Sequence, residues 1–226
     1  MRPDGSTCFE EQIKIDRFCV DKYEAYVVEL DERGNEKPHA PYDIVEGLRV
    51  RAKVAANVVP QAYISQVQAK EACANAGKRL CKADEFIRAC RGPDKKSFYP
   101  YGGVQHQKGI CNEGKGSLVA VVYGQDNNKW TYANFNDPKL DQMENGLAKT
   151  GAYGKCVSPD GAFDMVGNLH EWVDEPADGN NHGRFRGGSF GDAEINGPGC
   201  MYVTSAHELT YHDYSTGFRC CADAPE

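Results

Sequence analysis

The stretch FDMVGNLHEWV, residues 163–173, carries the reading of this chain. A short apolar run, Ala162 to Val166, leads into a Gly-containing turn and ends at Trp172, a large aromatic expected to anchor the core because such side chains are mostly buried. Apolar runs this short are the rule beyond Gly92. Leu118 to Tyr123 and the final Gly217 to Cys221 are the others, and Gly, Asn, Asp and Pro dominate between them. Such punctuation predicts a loop-heavy fold held by cross-links.

Working back toward the N-terminus, two helices are well marked. Ser65 and Gln68 form a capping-box pair, Ala69, Ala72, Cys73 and Ala76 fall at i, i+3, i+4, i+7, and Gly77 supplies the stop. The second helix is expected from about Ala83 to Arg91, with Ala83, Phe86, Ile87 and Cys90 on one face and Gly92 after it. Each helix aims a cysteine inward. The segment QIKIDRFCVDKYEAY, 12–26, alternates apolar residues at Ile13, Ile15, then Phe18 and Val20, which predicts a strand with a slip near Arg17. Gly34, Pro38, Pro41 and Gly47 among charges predict a surface excursion with little regular structure between Leu30 and Pro60. The acidic, turn-rich DEPADGNN at 174–181 is expected to be a solvated loop.

At 226 residues the chain fits one domain, 1–226, with residues 1–7 expected to be disordered or appended to it. Its 40% hydrophobic and 26% charged content is that of a globular protein with an adequate core. A net charge of −7 leaves no basic face broad enough for a run of phosphates, so no nucleic-acid partner is expected and an anionic membrane is a poor one. No stretch approaches the roughly 20 apolar residues of a membrane span, and Met1 to Thr7 has no signal-peptide pattern. Ten cysteines, from Cys8 to Cys221, nevertheless point to oxidised export, so an extracytoplasmic location with a trimmed leader or anchor is expected. No pair of C-x-x-C knuckles occurs, and Cys220 and Cys221 are adjacent, so disulfides outweigh zinc thiolates.

Several blocks, in order, resemble the sulfatase-modifying-factor (formylglycine-generating enzyme) family: IDRFCVDKYEAY at 15–26, YISQVQAKEACANAGKRLCKADEFIRACRG at 63–92, YPYG at 99–102, FDMVGNLHEWV at 163–173, RGGSF at 186–190 and TGFRCC at 216–221. The resemblance implies an α+β fold, the formylglycine-generating-enzyme variant of the C-type-lectin fold, irregular, with short antiparallel strands, two main helices and long loops. It also implies internal calcium and an oxidoreductase ancestry using a bound metal and dioxygen.

Carried over residue by residue, the family's calcium ligands become Asp164, Gly167, Leu169 and Glu171, two carboxylates and two carbonyls that suit a hard cation. The alternative is that Asp164 and Glu171 cap the turn through backbone N–H groups. A second calcium site would need an Asn and a later Asp: Asn134 with Asp141, or Asn112. The copper enzymes place two cysteines after GGS, since soft thiolates select Cu(I). Here GGSFGDAEINGPGC puts Asp192 in the first position and Cys200 in the second, with Ser189 as the family hydroxyl. One carboxylate and one thiolate make a poor Cu(I) site, which argues against formylglycine generation. The ergothioneine-type relatives take iron from a separate His-rich helical domain, and none fits in this chain.

Another transition metal, iron or copper, has candidate ligands in His170, Asp192, His207 and His212. The alternative is that His207 and His212 only hydrogen-bond within a loop. The resemblance also implies a Cys90–Cys220 disulfide. Order and context suggest Cys8 with Cys19, Cys111 with Cys156, and Cys73 and Cys81 with Cys221 and Cys200. Two functions follow as rivals: a calcium-stabilised secreted module binding a peptide, glycan or protein in the old cleft, where Tyr202, Tyr211 and Tyr214 could line the wall, or an oxidoreductase built on altered ligands. A hydrolase has little behind it, because Ser189 sits in GGSF and not in a G-x-S-x-G elbow.

Overall fold

The computed structural model describes residues 8–176, 179 and 181–224; the expectation for residues 1–7 lies outside them. The predicted N-terminal strand is a hairpin, β1 (Gln12–Ile15) and β2 (Phe18–Asp21), and the slip near Arg17 is its two-residue turn, with Asp16 at φ +50°. The supposed excursion after Leu30 is corrected. β3 (Tyr26–Leu30), β4 (Glu36–Pro38) and β5 (Val50–Lys53) form a three-stranded antiparallel sheet in the order β4-β3-β5. Gly34, Pro41 and Gly47 mark its connections and Pro38 closes the edge strand β4, while Val45, Val50 and Ala52 are buried.

Helix α1 (Gln66–Asn75) starts as its capping box predicts: the Ser65 hydroxyl accepts from Gln68 N, and Gln68 Oε1 accepts from Ser65 N at 2.9 Å. Ala69, Ala72 and Cys73 are its buried face. After β6 (Arg79–Leu80), α2 (Ala83–Arg91) buries Ala83, Phe86, Ala89 and Cys90, and Ile87 is half-buried at the edge. The run Leu118–Tyr123 forms the short helix α3, capped by Ser117, and Tyr132–Phe135 forms α4.

Strand β7 (His170–Pro176) leaves the VGN turn directly, followed by β8 (Gly183–Arg186), β9 (Val203–Thr204), β10 (Thr216–Phe218) and β11 (Cys220–Asp223). β7 takes the first three residues of DEPADGNN into a sheet, correcting the loop expectation for 174–176; Ala177, Asp178 and Asn180 lie outside the described residues. One sheet runs β1-β2-β11-β6, and another β10-β7-β8-β9, in which β10 lies parallel to β7 and the other pairs are antiparallel. Trp172 is 1% exposed, edge-on to Phe185, and its Nε1 donates to the Ile64 carbonyl at 2.9 Å, so it anchors the core as expected.

Five disulfides join all ten cysteines: Cys8–Cys19, Cys73–Cys220, Cys81–Cys221, Cys90–Cys200 and Cys111–Cys156. The expected Cys90–Cys220 pair is therefore wrong. Successive strand residues face opposite ways, so adjacent Cys220 and Cys221 on β11 serve different cores. Cys220 joins the apolar cluster of α1, with Cys73, Ile64 and Trp172. Cys221 joins the cluster of α2, where Cys90 finds Cys200 on a 3-10 turn at Gly199–Met201.

Candidate functional site

The loop after β8 holds Ser189, Asp192 and Cys200, the residues expected at the copper-enzyme positions. Gly188, at φ +74°, allows its sharp turn, for a Cβ there would collide with the Ala193 backbone and the Asp192 carbonyl. Ser189 N donates to the Asp192 carbonyl at 2.8 Å, and the Ser189 hydroxyl accepts from Gly191 N at 3.3 Å. The Asp192 carboxylate accepts from Glu194 N at 3.0 Å and Ile195 N at 3.1 Å, closing an Asx-type turn. Cys200 is fully buried in its disulfide. A Cu(I) ion needs free thiolates, so these residues do not fit it.

The histidine set is not assembled either. His170, at the start of β7, is 9% exposed and packs between Phe185 (centroids 4.6 Å apart) and Tyr202 (5.3 Å). Its Nδ1 has no hydrogen-bond partner, and burial, followed by the nearby His207, pushes its pKa down to about 3, so the ring is neutral. His207 stacks on Tyr211 at 3.9 Å, and burial lowers its pKa as well. His212 faces a neighbouring groove, with Nδ1 against Asn136 Oδ1 at 2.7 Å. Asp192 is tied into its turn. Among the described residues no three His, Cys, Asp or Glu side chains are arranged to hold a metal ion.

What the loops do assemble is a cleft of about 500 Å³. Its wall is an arc of touching rings, Tyr132, Tyr211, His207, Phe185, His170 and Tyr202, each pair of neighbours 3.9–5.7 Å apart between centroids. Trp130 and Phe135, packed edge to face, form the opposite side. Asp213 reaches the cleft from below β10: its Oδ2 accepts from the Tyr211 hydroxyl at 2.6 Å, and its Oδ1 from Ser215 N and Oγ, both at 2.8 Å. Asn196 Nδ2 donates to Thr204 Oγ1 and the Tyr202 hydroxyl at the rim. Tyr202 and Tyr211 thus line the cleft as expected, and Tyr214 lies behind it against Phe190 and Phe135. Sequence reasoning missed Trp130, Phe135, Phe185, Asn196 and Asp213, which come from four separated segments.

The VGN turn is braced by a residue also missed, Glu24, whose carboxylate accepts from Asn168 Nδ2 at 2.5 Å and Leu169 N at 3.0 Å. Arg219 grips Glu171 with two bonds, Nε to Oε2 at 2.6 Å and Nη2 to Oε1 at 2.7 Å, both side chains 1% exposed. Asp164, at φ +57°, accepts from Gly151 N at 2.6 Å. Three buried carboxylates thus face one guanidinium. Burial and mutual repulsion hold Glu24 well above the usual carboxylate range, and burial pushes Asp164 up to about 6. The excess negative charge fits a hard cation beside the turn carbonyls, with protonation as the other way of balancing it.

Asp141 is more exposed to this problem. It is 1% exposed and both carboxylate oxygens lack a partner, because the neighbouring Tyr63 hydroxyl donates to the Asp137 carbonyl at 2.8 Å. Burial raises its pKa far above normal. The carbonyls of Leu140, Asp141 and Met143 gather over Gly146, where a Cβ would meet them at 2.9–3.1 Å, so oxygen donors are dense here. Of its expected asparagine partners, Asn134 has its Oδ1 engaged in capping Thr131 N at 2.8 Å, and Asn112 donates through Nδ2 to Asn168 Oδ1 at 2.9 Å.

Short antiparallel strands in small sheets, two main helices and a loop-built cleft define an α+β domain of the C-type-lectin kind, in its formylglycine-generating-enzyme variant. Residues 5–224 match the family model described as the Sulfatase-modifying factor enzyme 1-like domain, and the chain belongs to that family. Among curated proteins no relative matches it. Solved structures similar to it include the Major Tropism Determinant U1 and P3c variants, each at 14% identity and TM-score 0.51 over 95% of this chain and 52% of that one. The I1 variant is similar at 13% identity and TM-score 0.50, over 92% of this chain and 50% of that one. The chain spans about half the length of these proteins. Among the described residues no helix is long and apolar enough to cross a membrane.

Proposed function

We propose that this chain is a single extracytoplasmic binding domain, calcium-stabilised, that keeps the family scaffold without the family's copper reaction and takes its ligand in the aromatic cleft. The observation that carries this reading is the fate of the two thiolate positions: Asp192 closes a turn, and Cys200 is joined to Cys90. The loops form a cleft of about 500 Å³ with a ring-lined wall, which is what a recognition site requires. Five disulfides agree with an oxidising compartment. Calcium would be held at Asp141, and by Asp164 with the Gly167 and Leu169 carbonyls, where it would neutralise buried carboxylate charge.

Metal analysis of aerobically purified protein, with a free-thiol count, tests the reading. Calcium alone and no free thiol are expected. Stoichiometric copper or iron, or conversion of a cysteine in a sulfatase-derived peptide to its aldehyde, would return the chain to the oxidoreductases.

A further inference from the structure

The cleft adjoins a second groove of about 550 Å³, and the two share Tyr132, His207 and Tyr211. Glu46, Glu208 and His212 line the second groove. The chain has 26 Lys and Arg residues, yet among the described residues none lines either groove, while Asp213, Glu46 and Glu208 do. Aromatic faces carry the negative end of the ring quadrupole, so the arc from Tyr132 to Tyr202 adds to the same sign of potential. His170, nine-tenths buried, contributes a neutral ring to that wall and no positive charge. Asp213 Oδ2 takes only one donor, Tyr211, and keeps a lone pair.

We infer that the cleft binds a protonated alkylamine, a lysine-type ammonium on an unbranched chain, with the alkyl stem against the rings and the ammonium toward Asp213. The inference rests on the binding reading above and names the ligand class for it. A primary ammonium fits better than a quaternary one because it brings N–H donors for acceptors such as Asp213. Anionic ligands meet no Lys or Arg among the described residues of either groove. A neutral sugar could stack on the rings, but it leaves unexplained why both grooves exclude Lys and Arg and carry carboxylates.

Trp130 lies in the cleft and Trp172, the only other tryptophan, is buried in the core, so intrinsic fluorescence reports occupancy. Titration with butylammonium and with Nα-acetyl-lysine methylamide, at pH 7.5, is expected to saturate a signal that butyrate and methyl glucoside do not produce. If the lysine derivative fails while butylammonium binds, the ligand is a free small amine and the inference stands. Asp213→Asn should weaken binding about 10-fold, as a charge-assisted contact is lost. Tyr132→Leu, at a 51% exposed position where folding is not at stake, should weaken it about 3-fold. Equal or tighter binding of butyrate or the glucoside in the same cleft overturns the ammonium assignment but keeps a binding domain. Unchanged affinity in Tyr132→Leu also overturns it. Silence from every probe overturns both readings.

Discussion

Glu171 and Asp141 are both buried carboxylates at 1% exposure, and they solve the same electrostatic problem differently. Glu171 has a cation from its own chain, Arg219, held by two short bonds. Asp141 has no donor at either oxygen. The pairing of Glu171 is therefore part of folding, whereas Asp141 waits for a proton or an ion from solution. One region is balanced by tertiary structure, and the other makes stability depend on conditions.

The comparison breaks most visibly at Arg219. Arg219→Met leaves Glu171, Glu24 and Asp164 buried without their guanidinium, and should cost about 3–5 kcal/mol in denaturant unfolding, enough to threaten the fold. A loss under about 1 kcal/mol would mean that Glu171 is neutralised by something else. Next in size is calcium itself. Moving from calcium at about a hundred times its dissociation constant to excess EGTA should remove about 2.7 kcal/mol, read as a fall in Tm. Asp141→Asn should then remove only the share of that calcium dependence owed to its own site, leaving the share at Asp164, while stabilising the EGTA form by about 1–2 kcal/mol, since an uncompensated charge is gone. If the calcium response survives intact, the ion sits elsewhere.

The smallest expected effect has the opposite pH sign. Raised carboxylates such as Asp164, at about 6, contribute stability that is full at acid pH and lost as pH rises through the folded value. His207 is lowered by burial, so its contribution is present above the ordinary histidine value and lost as pH falls through the folded one. In EGTA, unfolding measured from pH 4 to 7 should therefore show stability falling as pH rises, against an opposing slope from the buried His170, His207 and His212 that His207→Gln makes shallower. An unchanged profile in that variant would show that His207 takes up its proton without strain.

Local grammar was legible wherever a pattern repeats along the chain. The capping box at Ser65, the Ala83–Arg91 helix and the inward cysteines were readable because helical faces follow a fixed 3.6-residue period. Cys8–Cys19 and Cys111–Cys156 followed from order and context, whereas pairing Cys90 required knowing which face of β11 each cysteine occupies. The strands after Leu30 escaped because Pro and Gly connections hid the alternation of only three or four residues.

The site was less legible. His170, His207 and Tyr211 stood out as residue types, but their roles come from ring contacts between segments far apart in sequence. Nothing near Glu24 announces that it braces a turn more than 140 residues away, because the bonds run through space to Asn168 and Leu169.

By itself the sequence determined the family and the two main helices, since each is written in residue identity at fixed spacing. Tertiary structure alone decided that Cys200 is joined to Cys90, and where the cleft lies. A disulfide partner, a ring stack and a carboxylate's missing donor are facts of proximity, and proximity is set by packing of the whole chain.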